Sequence, residues 1–379
     1  MNQEIVVTGI GLHSCLGNLE DTWQGLLSLQ SGIKLQQPFR EVFPEIAPLP
    51  LALIREKPTT LSWITEQVVA AALDDAGLVA PLPDCGVVVG SSRSCQGIWE
   101  ELDKDRSSLL RVNWLDTLPN QSAIATARQI GSISAVLAPM AACATGIWAI
   151  ANALQLIQHG ICQRVLAGAV EAPITPLTIT SFGQMGALAK TGCYPFDVNR
   201  EGLVLGEGGA VLVLESEELA LSRGARIYGR VLGFGFSCDA LHVSTPEPEG
   251  KEAIAAIKQC LTRSNLSPRD INYIHAHGTS TKLNDAREAR IIQNPFPWGV
   301  TVSSTKGAYG HTLGASGAMG VALCLRALRE EILPPCVGLK EPEFPLDFVT
   351  TPRLGKIQGV LCLSFGFGGQ NAVLSLGSL

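Results

Sequence analysis

Along this chain, short apolar runs bounded by glycine alternate with longer stretches whose apolar positions recur every three or four residues. Residues 4–11 (EIVVTGIG), 85–92 (CGVVVGSS), 133–139 (ISAVLAP), 164–170 (RVLAGAV) and 209–215 (GAVLVLE) are almost continuously apolar. Such runs predict strands covered on both faces. Helical spacing runs through 65–78 (TEQVVAAALDDAGL), with Gly77 near its end, and 144–160 (ATGIWAIANALQLIQHG), with Gly160 placed as a left-handed cap.

The polar stretch 215–229 (ESEELALSRGARIYG) introduces a second series of the same kind. It predicts a strand at 226–236, a helix at 252–265, a strand at 271–278, a helix at 284–292, and strands at 359–365 and 372–376. Strand–helix alternation in two consecutive halves implies an α/β fold with layered sheets. Proline clusters at 48–58 and 332–345 predict surface connections.

Composition narrows the class. With 379 residues, 46% of them hydrophobic and only 16% charged, the chain can bury a large interior, and its low charge suggests surface covered in an oligomer. A net charge of −6 without basic runs argues against a nucleic-acid partner. The N-terminus has no basic region ahead of an apolar run, so a signal peptide is not expected. No apolar run reaches membrane-spanning length. Eleven cysteines without CxxC spacing predict a reduced, cytoplasmic chain rather than a disulfide framework.

Four motifs carry candidate chemistry. In MAACATGIWAI (140–150), a strand leads into Cys143 and a helix leads away. Unpartnered N–H groups and the helix dipole at that position predict a thiol with a lowered pKa, although a packing cysteine fits the same pattern. In IHAHGTST (274–281), His275 and His277 alternate at a strand end, so they share one face and Ala276 takes the other. In SSTKGAYGHTLGASGAMG (303–320), Lys306 precedes His311 among closely spaced glycines, and SFGFGGQN (364–371) sets two phenylalanines among glycines. A thiolate can accept an acyl group, while two imidazoles can polarise a second thioester carbonyl and stabilise an enolate. A metal at Cys143, His277 and His311 is not expected, because one thiol and two imidazoles lack a fourth ligand.

With these residues in place, the chain resembles the β-ketoacyl-[acyl-carrier-protein] synthases of the elongating Cys-His-His type, in the thiolase-like superfamily. The resemblance runs nearly end to end, through VVTGIGLHSCLGN, AACATG, YPFDVNREGLVLGEGGAVLVLE, HAHGTSTKLNDAREA, STKGAYGHTLGASGA and SFGFGGQN. It implies a five-layer αβαβα fold from two pseudo-symmetric halves, 1–222 and 223–379, assembled as a homodimer or as a heterodimer with a related subunit. It implies Cys143 as acylated nucleophile, His277 and His311 as the decarboxylating pair, and Lys306 as electrostatic support for the second histidine. The N–H groups of Cys143 and Phe367 would form the oxyanion hole, Phe367 would also gate malonyl entry, and Thr279 and Thr281 would contact phosphopantetheine. The implied reaction is ping-pong decarboxylating condensation on acyl carrier protein, without metal or dissociable cofactor.

Some positions depart from the family pattern. Gly320 stands where many members carry an acidic residue, and Gln370 where a threonine is common. The stretches matching the carrier docking face, 55–63 and 182–190, hold only Arg55, Lys57 and Lys190 as basic residues. The region 92–122, which in the family helps line the acyl pocket, is short. The competing reading is a chain-length-factor-like partner subunit. Such partners usually lose the cysteine that this chain keeps.

Overall fold

The computed structural model describes residues 3–42, 44, 47–104 and 114–379. Part of the short region 92–122, namely 105–113, therefore lies outside the described residues.

In the first half of the chain the predicted strands form β1 (Ile5–Ser14), β2 (Gly86–Gly90), β3 (Val136–Leu137), β4 (Arg164–Glu171) and β5 (Gly208–Ser216). In the second half they form β6 (Gly229–Cys238), β7 (Tyr273–His275), β9 (Gly359–Gly366) and β10 (Gln370–Gly377), and the structure adds a strand that was not expected, β8 (Thr301–Ser303). Two expectations are shortened by the structure. Only Val136–Leu137 of 133–139 pairs, and 271–278 stops pairing at His275, because the chain leaves each sheet there to build a loop.

Pairing in the two halves follows one scheme. Strand β1 is antiparallel to β5, β5 antiparallel to β4, β4 parallel to β2, and β2 parallel to β3. Likewise β6 is antiparallel to β10, β10 antiparallel to β9, β9 parallel to β7, and β7 parallel to β8. The halves join edge to edge where Val6 and Val7 of β1 pair with Arg230 and Gly229 of β6.

Helices α1 (Leu61–Asp75) and α2 (Gln121–Ile130) pack on the outer face of the first half. Helices α3 (Thr145–Gln158), α4 (Lys251–Arg263), α5 (Lys282–Gln293) and α6 (Ser316–Glu330) follow in the chain. Residues of α4 and α5 pack in the core of the second half. Helices α3 and α6 form the middle layer, and both are lined almost entirely by buried residues, as helices between two sheets must be. Their backbones meet closely. A β-carbon on Gly146 of α3 would lie 2.4 Å from the Ala318 nitrogen of α6. The expected five-layer, thiolase-like α/β architecture is thus present.

The two middle helices begin in the same way. Ala142, three residues before α3, has φ +47°, and Leu313, three residues before α6, has φ +40°. A left-handed turn on a non-glycine residue therefore introduces each central helix. By this count Cys143 and Gly314 occupy equivalent positions in the two halves. Among the described residues, no helix is long and apolar enough to cross a membrane.

Candidate active site

Cys143 sits on the sharp turn between β3 and α3. The left-handed conformation of Ala142 is costly for a residue with a β-carbon, so the surroundings must hold it. Thr145 does so: its Oγ1 donates to the Ala142 carbonyl at 2.7 Å and accepts from the Ala141 N–H at 2.9 Å. From the other half, Ser364 Oγ on β9 donates to the Cys143 carbonyl at 2.8 Å. Gly366 is required by the same contact, since a β-carbon there would lie 2.9 Å from the Ala141 oxygen and 3.0 Å from the Cys143 nitrogen. The loop bearing Phe367 reaches the elbow only because residue 366 has no side chain.

The sequence suggested a thiol of lowered pKa at the helix start, and the structure corrects this. Cys143 is buried, and loss of solvent pushes its thiol up to about 12 even though the Lys306 charge pulls the other way. Desolvation of a thiolate outweighs the partial charge of one helix end here. At neutral pH the Cys143 side chain is therefore a thiol. Below its pKa the thiolate fraction rises tenfold per pH unit. Alkylation of Cys143 by iodoacetamide should accordingly climb about tenfold per unit from pH 7 to pH 9. A rate that levels off near neutrality would show the thiol to be activated at rest.

The histidines come from the second half. Residue 277 lies just past the end of β7, and His311 lies in the loop ahead of α6, held by its N–H donating to the Val204 carbonyl at 2.6 Å. Their rings are 5.2 Å apart and nearly perpendicular. His311 Nδ1 pairs with Ser316 Oγ at 2.9 Å, whereas His277 Nδ1 is buried without a partner. A buried imidazole nitrogen left unpaired is suited to a bound polar group. Burial, then the Lys306 charge, hold both imidazoles well below the usual histidine range, so both are neutral at pH 7.

Lys306 is buried rather than on a solvated loop, and its ammonium donates to the His277 carbonyl. Burial holds it below the usual lysine range, with Glu288 opposing. Glu288 was not singled out in the sequence. It accepts from the His277 N–H at 2.6 Å and the Gly278 N–H at 2.7 Å, and burial pushes it up to about 7. Only its helical position after the Thr281 cap could have signalled it. A second unforeseen carboxylate, Glu171 at the end of β4, accepts from Ser91 Oγ, the N–H groups of Ser92 and Arg93, and the Gly314 N–H at 3.0 Å. It ties the loop after β2 to the turn ahead of α6.

Cys143, His277, His311, Thr279, Thr281 and Phe367 line one cavity of about 530 Å³. Thr281 caps α5, and its hydroxyl lies 2.9 Å from that of Thr279. The Phe367 ring, 38% exposed, stacks 5.9 Å from Phe182 at the mouth. The structure therefore brings together every candidate residue, with Lys306 behind the lining.

His275, the other histidine of the motif, does not reach this cavity. It fills the space beside Gly320, where a β-carbon would lie 2.7 Å from His275 Cε1 and 3.0 Å from Cys362 Sγ. The space that a side chain at position 320 would take is thus occupied by an imidazole from β7. Gly320→Ala should cost about 1–3 kcal/mol through overpacking, read as a lowered urea midpoint. An unchanged midpoint would contradict the fit.

Two mirrored halves, a cysteine on a helix-start elbow from one, and two histidines with a buried lysine from the other define a condensing enzyme of the thiolase-like class. The chain matches "Beta-ketoacyl synthase, N-terminal domain" over residues 62–220 and "Beta-ketoacyl synthase, C-terminal domain" over 228–340. It belongs to the β-ketoacyl synthase family. Among its relatives, 3-oxoacyl-[acyl-carrier-protein] synthase 2 of Synechocystis is 34% identical, over 98% of this chain and 97% of its own length. The protein of the same name from Mycobacterium tuberculosis is 35% identical over the same shares. Among solved structures, a type II PKS acyl-carrier protein in complex with its ketosynthase bound to the hexaketide covers 100% of both chains at 26% identity, with a TM-score of 0.93. The ishigamide ketosynthase/chain length factor covers 100% of both at 28% identity, with a TM-score of 0.90.

Proposed function

We propose that this protein condenses an acyl group held on Cys143 with malonyl-[acyl-carrier protein], releasing CO₂ and giving a β-ketoacyl-[acyl-carrier protein]. The observation that carries the reading is the convergence of Cys143, His277 and His311 on one cavity. Carrier protein delivers an acyl thioester, and the Cys143 sulfur attacks its carbonyl while the thiol proton passes to a neutral imidazole. The N–H groups of Cys143 and Phe367 hold the oxyanion, a term worth about 2.7–4 kcal/mol per donor in other enzymes. The carrier thiol leaves with the proton.

Malonyl thioester then enters past Phe367, with its phosphopantetheine arm against Thr279 and Thr281. His277 and His311 donate to its carbonyl oxygen, so that the electrons left by departing CO₂ collect on an oxygen held by two N–H groups. The enolate carbon attacks the acyl-cysteine carbonyl, the acyl C–S bond breaks, and the Cys143 sulfur leaves and takes back a proton as the β-ketoacyl thioester forms on the carrier. Lys306 and Glu288 fix the backbone of His277, while burial and the Lys306 charge keep both imidazoles neutral, the form able to donate and accept.

In this reading 1–222 is the half that carries the nucleophile and 223–379 the half that carries the histidines and lysine. The enzyme works in the cytoplasm as a dimer, with a second copy or a related subunit. The sheet edge at Val136–Leu137, with Ile133 and Met140 exposed beside it, supplies an apolar surface for that partner. A silent chain-length-factor role is disfavoured by the intact cysteine, lysine and histidine set. Intact-mass measurement after incubation with acyl carrier protein thioesters tests the reading. An acyl adduct on Cys143 is expected, and a chain that stays unmodified would return the silent-partner role.

A further inference from the structure

A second cluster of reactive side chains lies outside the cavity. His275 on β7, Cys324 on α6 and Cys362 on β9 are at most 2% exposed, and one ligand atom from each lies within 4.8 Å of the others. His275 Nε2 is engaged with Thr305 Oγ1 at 2.9 Å, and that hydroxyl in turn meets Tyr309 Oη at 2.5 Å. The other ring nitrogen, Nδ1, is left facing Cys362 Sγ at 3.7 Å. A ring nitrogen held by an outer hydroxyl while its opposite nitrogen faces a thiol is the arrangement found around metal-binding histidines.

We propose that His275, Cys324 and Cys362 form a buried site for one thiophilic d10 metal ion, Cu(I).

Size agrees with this. A triangle with no side above 4.8 Å has its centre at most about 2.8 Å from each corner, so small side-chain shifts give metal–sulfur bonds near 2.3 Å. Donor chemistry selects the ion, because two thiols and an imidazole are soft ligands that suit Cu(I) and Zn(II) and not Mg²⁺ or Ca²⁺. Three converging donors complete a trigonal Cu(I) site, whereas zinc would need a fourth ligand. Gly320 makes room for the cluster, since any side chain there would press on His275 and Cys362. Lys306 is an electrostatic neighbour of Cys362 and offsets the negative charge of two thiolates around a monovalent ion. On binding, each thiol loses its proton to solvent and forms one metal–sulfur bond, with no change of oxidation state. The ion would pin β7, β9 and α6 together two residues away from His277.

The full chain, produced separately in copper-supplemented and zinc-supplemented medium and purified under reducing conditions without chelator, tests this by elemental analysis. One equivalent of copper per chain is expected, together with a higher melting temperature than the metal-free chain, and zinc bound in its place would overturn the assignment of the ion. Loading should fall severalfold in His275→Asn, which keeps both thiols, and in Cys324→Ser/Cys362→Ser. Wild-type protein that carries neither metal would overturn the site, as would a wild-type chain loaded no more than the double serine variant. Both readouts are independent of condensing activity.

Discussion

Cys143→Ala is expected to abolish condensation, with a loss on the order of 10⁶-fold, the scale of removing the nucleophile from a serine hydrolase. The reason is geometric. Among the described residues no other thiol lines the cavity, and both Ser364 and Gly366 shape the opposite half around this one elbow. Alanine fits the turn, because Ala142 and Ala144 already flank it, so the variant should fold with an unchanged melting curve. Elongation of acyl chains at the wild-type rate by this variant would remove Cys143 from the mechanism. Cys143→Gln sharpens the point, since it should stop condensation while malonyl decarboxylation continues.

The second large effect is expected at His311. Losing one of two donors to the malonyl carbonyl should slow decarboxylation by about 10²–10³-fold. His311→Ala should nevertheless leave the first half-reaction largely intact, because in the proposed mechanism the oxyanion donors of that step are backbone N–H groups and His277 remains to take the thiol proton. Following CO₂ release and acyl-enzyme mass side by side separates the two steps. Equal loss of both would count against a role confined to the malonyl group.

Much of this was legible in the sequence. The apolar runs marked the sheet because strands covered on both faces must be largely apolar, as the interiors of β4 and β5 are. Cys143, His277, Lys306 and His311 stood out because glycine and small residues surround reactive types on short loops. Other properties were hidden for physical reasons. The thiol pKa of Cys143 depends on how much solvent is removed by residues distant in the chain, Leu51, Ile179, Leu205 and Leu313 among them, which no local pattern records. Glu288 and Glu171 act through backbone N–H groups distant in sequence, and a glutamate in a helix or at a strand end looks the same whether buried or solvated. The two histidines of HAH were read correctly as sharing a face, but the sequence did not tell that only His277 meets the cavity. That distinction arises from Gly320 on another helix.

The repeated left-handed turn ahead of α3 and α6 bears on ancestry. A backbone device that is costly for alanine and leucine alike, built twice at equivalent points of two halves with one pairing scheme, is what duplication of one ancestral half would leave. One copy kept a cysteine at the turn. The other holds Gly314 there, and instead contributes both imidazoles and the lysine. Each copy has thereby lost the means to act alone, and the reaction centre belongs to the seam between them.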